Sequence, residues 1–83
     1  MRHATPAVLD TIEPLLARLR TLPLIERKRG TFYLKRDAFL HFHEDPAGLF
    51  ADLKIQGQWQ RLNADTAAQH KALFKAAQSA LPA

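Results

Sequence analysis

The segment Ala38-Phe39-Leu40-His41-Phe42-His43-Glu44-Asp45-Pro46-Ala47-Gly48-Leu49-Phe50-Ala51-Asp52-Leu53-Lys54-Ile55 decides the fold. From Leu49 the pattern alternates: Leu49, Ala51, Leu53 and Ile55 fall on one side of an extended chain, and Phe50, Asp52 and Lys54 on the other. That period of two belongs to a half-buried strand. Residues 38–43 are an aromatic-rich run of strand length. Between the runs, Asp45-Pro46-Ala47-Gly48 places Asp first, Pro second and Gly fourth, the residue preferences of a type I turn. Two strands joined so tightly pair antiparallel.

Working outward, Thr31-Phe32-Tyr33-Leu34 supplies a preceding strand, and Gln56-Gly57 a hairpin signal before a short fourth strand over residues 58–62. On the N-terminal side, Thr5-Pro6 offers an N-cap and a first-turn proline for a helix with Leu9, Ile12, Leu16 and Leu19 on one stripe. Pro14 lies inside that stripe and removes a helical hydrogen bond, so it kinks or divides the helix, which ends before Pro23. On the C-terminal side, Thr66 and Gln69 have capping-box spacing. They open a helix whose stripe is Ala67, His70, Leu73, Phe74, Ala77 and Leu81, stopped by Pro82. The expected fold is α+β over a single domain, residues 1–83: helix, four-stranded antiparallel meander, helix, with both helices packed on one face of the sheet.

Composition agrees with a globular chain, since 47% of the 83 residues are hydrophobic and 24% charged. The absence of cysteine rules out disulfides and thiolate zinc sites. No hydrophobic run exceeds three residues, so neither a membrane span nor a secretory signal is expected, and the reading is cytosolic. The net charge of +4 is uneven: residues 1–36 carry eight basic against three acidic side chains, and residues 37–83 four against five.

Turn lengths determine which residues face one another across a sheet. Loops at 35–37, 44–47 and 56–57 pair Phe32 with Leu40, Leu34 with Ala38, Phe42 with Leu49, Leu40 with Ala51 and Ala38 with Leu53, an apolar face for the helices. Gln58 and Gln60 share that face. The opposite face collects Tyr33 beside Phe39, His41 beside Phe50, Asp52 between Phe39 and Arg61, and Lys54 beside Trp59. So large an aromatic cluster calls for a cover. The leading expectation is therefore a non-enzymatic interaction module, a homodimer or a partner-docking protein, using Tyr33, Phe39, His41, Phe50 and Trp59.

Two alternatives rest on other residues. His41 and His43 project from one face of a strand, where with Asp52 they can offer donors to zinc, nickel or iron. Arg27, Lys28 and Arg29, with Lys35 and Arg36, form a basic segment suited to the phosphates of a nucleic acid. No catalytic residue or cofactor is expected, because the chain has no Gly-rich phosphate loop and no nucleophile in a triad context.

Gly30-Thr31-Phe32-Tyr33-Leu34-Lys35, followed by the stretch from Ala38 to Asp52 and later by Thr66-Ala67-Ala68, resembles a small family of uncharacterised bacterial proteins. The resemblance covers about half of the chain. It implies relatives and no established activity, cofactor or catalytic residue.

Overall fold

The computed structural model describes residues 2–82. Its elements in chain order are β1 (Arg2–His3), α1 (Pro6–Thr11), α2 (Glu13–Leu19), β2 (Ile25–Lys28), β3 (Thr31–Leu34), β4 (Asp37–Asp45), β5 (Gly48–Ile55), β6 (Gln58–Asn63) and α3 (Ala67–Ala80). The class is α+β, and the described residues form an antiparallel sheet of six strands and three helices where four strands and two helices were expected. No helix among the described residues is long and apolar enough to cross a membrane.

Pro14 accounts for the extra helix. Thr5 caps α1 by accepting from the Val8 amide, and the helix breaks at Ile12, whose φ of −116° and ψ of 18° are not helical. Pro14 then occupies the first turn of α2, where its missing N–H costs nothing. At α3 the capping box forms as expected: the Thr66 hydroxyl accepts from the Gln69 amide at 3.1 Å, and the Gln69 side chain accepts from the Thr66 amide at 3.0 Å.

The two unexpected strands lie on one side of β4. The sheet runs β2-β3-β4-β5-β6, and β1 also pairs with β4. The nine-residue β4 meets β3 along its first half, to His41, and β1 at His43 and Glu44. β2 carries mostly polar residues and is exposed, so no alternating apolar pattern marks it. The two-residue β1 owes its place to tertiary contacts: the Thr5 amide donates to Glu44 at 2.6 Å, Arg2 pairs with Glu44 at 3.0 Å, and the Ala4 amide donates to the Phe42 carbonyl.

Register differs from the expectation at two places. β4 continues to Asp45 and β5 starts at Gly48, which shortens the loop to Pro46-Ala47. Phe42 therefore faces Ala51, Leu40 faces Leu53, and Glu44 faces Leu49. A shift of two preserves which residues share a face but changes their partners. His41 stands opposite Asp52, and His43 opposite Phe50.

The second difference is a β-bulge. Phe32 faces Leu40 while Tyr33 faces Ala38 and Leu34 faces Asp37, which leaves Phe39 as an extra residue on β4. A bulge sets two residues against one and re-aims a side chain. Phe39 is accordingly only 3% exposed and joins the core, so the expectation that it stands on the open face is corrected.

That core is one cluster, containing Leu9 and Ile12 from the first helical segment, Leu15, Leu16 and Leu19 of α2, Leu73 and Ala77 of α3, and Phe32, Phe39, Leu40, Phe42, Leu49, Ala51 and Leu53 of the sheet. On β6 the expected pairs Asp52 with Arg61 and Lys54 with Trp59 are present. Gln58 and Gln60 face Ile55 and Leu53, but β6 is an edge strand and both glutamines are exposed to water.

Candidate functional site

Pairing partners in a sheet point to the same side, so the registers lay out the open face in rows. One row contains His3, His43, Phe50 and Asn63; the next contains Lys28, Thr31, His41, Asp52 and Arg61. Beyond them, Ile25 and Tyr33 lie on one flank, and Lys54 and Trp59 on the other. Of the residues expected on this face, Tyr33, His41 and Phe50 are half-buried and Trp59 is 44% exposed.

At the centre, His3, His41 and His43 each present a ring nitrogen, and these nitrogens all lie within 4.8 Å of one another. His41 Nδ1 approaches His43 Nε2 to 2.6 Å, a hydrogen bond in which one ring nitrogen carries the proton and the other accepts it. Asp52 Oδ2 lies 3.2 Å from the same His43 nitrogen. Both oxygens of Asp52 are engaged by Arg61, whose Nε and Nη2 donate at 2.9 and 3.0 Å in a bidentate pair. The Trp59 ring is 4.8 Å from that of His41, and the Lys54 ammonium is 4.9 Å from Trp59.

Electrostatics favour neutral imidazoles beside an ionised carboxylate. Burial holds the pKa of His41 below its ordinary value, and the neighbouring His43 adds to the effect. Burial likewise lowers His43, although Asp52 opposes this. The Arg61 hydrogen bonds keep Asp52 below the usual carboxylate range. Neutral imidazole is the form that ligates metal ions. The remaining described histidine, His70, is committed elsewhere, donating from Nε2 to the Ala64 carbonyl at 2.7 Å.

His3 is the site residue that sequence reading missed. Its strand is too short for any periodicity, and it reaches the other histidines only through the pairing of β1 with β4. The basic segment is brought together only in part. Arg27 lies over the Tyr33 ring at 4.8 Å, and Lys28 is in the His41 row. Arg29 instead pairs with Asp10 and Glu13 of the first two helices, each at 2.8 Å. Lys35 and Arg36 are exposed in the β3–β4 turn, at the opposite end of β3.

Comparison with protein-family models, with curated proteins and with solved structures found no match to this chain.

Proposed function

We propose that this protein binds a divalent transition-metal ion, zinc by preference, through His3, His41 and His43 on the open face of its sheet. The reading is carried by the convergence of three imidazole nitrogens within 4.8 Å. Zinc–nitrogen bonds of about 2.0–2.1 Å set tetrahedral ligands roughly 3.3 Å apart. His41 and His43 therefore separate slightly on binding while His3 draws in. Imidazole donors suit zinc, copper, nickel and iron, and three protein ligands leave a position for an outside ligand. Asp52, both of whose oxygens are held by Arg61, faces the same His43 nitrogen and places a negative charge beside the ion.

Elemental analysis and calorimetry test the reading. One equivalent of zinc is expected on the native chain, with each of His3→Ala, His41→Ala and His43→Ala weakening affinity by more than the roughly 10–100-fold that loss of an outer-shell partner costs. No stoichiometric uptake of zinc, nickel or iron(II) by the native protein overturns it.

A second reading is supported by the exposure of Trp59 at 44% and Ile25 at 52% on the same face. In it the helices shield the other side of the sheet, and two copies pair through the open one. Sedimentation showing only monomer at micromolar concentration, for the native chain and for Phe50→Asp alike, removes this reading.

A further inference from the structure

Beside the three histidines, β4 passes from one partner strand to another, and the change leaves an opening. A cavity of about 260 Å³ lies there, lined by His3, Arg27, Lys28, Thr31 and Tyr33 together with apolar residues that include Leu9 and Phe42. It is smaller than the roughly 300–1,000 Å³ of pockets that enclose drug-sized ligands. Among the described residues no carboxylate lines it.

Two of its cations, Arg27 and Lys28, differ from most arginines of the molecule. Arg2, Arg20, Arg29 and Arg61 are each bound to carboxylates, and Arg29, which also lines the cavity, is occupied by Asp10 and Glu13. Arg27 and Lys28 have no carboxylate partner among the described residues. Arg27 rests on the Tyr33 ring, which fixes its guanidinium at the cavity while leaving its N–H groups available. Lys28 pairs across the hairpin with Thr31, whose partner on the other side is His41. Arg27, Lys28 and Thr31 thus line the same cavity as His3, one of the proposed metal ligands.

We infer that this opening is a phosphate subsite, where Arg27, Lys28 and Thr31 hold a phosphate group whose oxygen takes the free coordination position of the metal on His3, His41 and His43. The inference rests on the metal-binding reading and names the class of its outside ligand: a free phosphate or phosphomonoester, or the backbone of a nucleic acid. Guanidinium and ammonium groups recognise phosphate through charge-assisted hydrogen bonds, and a metal ion supplies the remaining positive charge.

The test uses the full chain loaded with cobalt(II), whose visible absorption reports changes in its coordination. Metal analysis gives cobalt stoichiometry separately from the anion titration. Addition of inorganic phosphate is expected to alter the spectrum saturably. Arg27→Ala/Lys28→Ala should still take up one cobalt but bind phosphate at least about tenfold more weakly, whereas Lys71→Ala/Lys75→Ala on α3 should match the native protein. Bound cobalt with a spectrum indifferent to phosphate, or equal phosphate affinity after loss of Arg27 and Lys28, overturns the subsite and leaves the metal reading standing. Failure to take up cobalt overturns both. A twelve-nucleotide oligothymidylate distinguishes the sources: binding tighter than inorganic phosphate, lost in the same double variant, assigns the subsite to a nucleic-acid backbone, and phosphate binding without oligonucleotide binding assigns it to a free phosphate ester.

Discussion

Replacing Phe39 by alanine tests the bulge in β4, because simple strand alternation and the observed structure give that ring opposite fates. On the open face, a cross-strand aromatic contributes about 0.2–1 kcal/mol. At 3% exposure within the core, its truncation costs about 3–5 kcal/mol in lost transfer free energy and residual cavity. A chain of 83 residues has a total stability of roughly 4–12 kcal/mol, so the variant is left marginal. With an unfolding entropy of about 2.1 cal/mol/K per residue, 3 kcal/mol lowers the midpoint by roughly 17 °C. Urea and thermal unfolding followed by circular dichroism measure the loss. Phe39→Leu, which retains most of the volume, should cost less than about 1.5 kcal/mol and provides a folded comparison. A loss below about 1 kcal/mol for Phe39→Ala would show that the ring is not a core residue and refute the bulge argument.

Three further outcomes follow from local geometry. Gln56 and Gly57 both have positive φ, 50° and 79°, so Gln56→Asn should stabilise the β5–β6 turn by roughly 0.5 kcal/mol, and a lower midpoint would contradict this. Gly48 has φ of 140°, and an added Cβ would lie 2.7 Å from the Asp65 carboxylate that accepts from the Leu49 amide; Gly48→Ala should cost about 2 kcal/mol in a denaturant titration, and a neutral result would count against the turn. Burial raises the pKa of Glu26, but its hydrogen bonds from Arg20 and the Gly30 amide outweigh this and leave it lowered. A carboxylate depressed in the folded state contributes stability that is complete above its unfolded pKa of about 4.3 and is lost as pH falls through the folded value. The stability advantage of the native chain over Glu26→Gln should therefore shrink in acid, and parallel pH curves for the two would refute the assignment.

Much of this architecture could be read from residue patterns with a local cause. The Thr66–Gln69 capping box, the interruption at Pro14, the alternation of β5 and the Gln56-Gly57 hairpin each depend on a few adjacent residues. The open face was legible for the same reason: His41, His43, Asp52, Trp59 and Arg61 keep their side even though the β4–β5 register moved by two. What escaped lacked a pattern of its own. The bulge at Phe39 depends on β3 lying against β4, β1 is held by the distant β4, and β2, although a two-residue turn joins it to β3, has no apolar rhythm. The site changed character as a result. Removal of Phe39 from the surface and arrival of His3 turn an expected aromatic patch into a histidine cluster flanked by Asp52, Arg61 and Trp59.

The position of β1 bears on how the protein should be handled. β1 pairs Arg2 with Glu44 and His3 with His43, so extra histidines introduced next to this strand would lie beside the imidazoles. A polyhistidine purification handle placed there would offer competing nitrogens to the same ion and manufacture the uptake it was meant to reveal. Placing the handle behind α3, or cutting it off before any metal is weighed, keeps the reagent from answering for the protein.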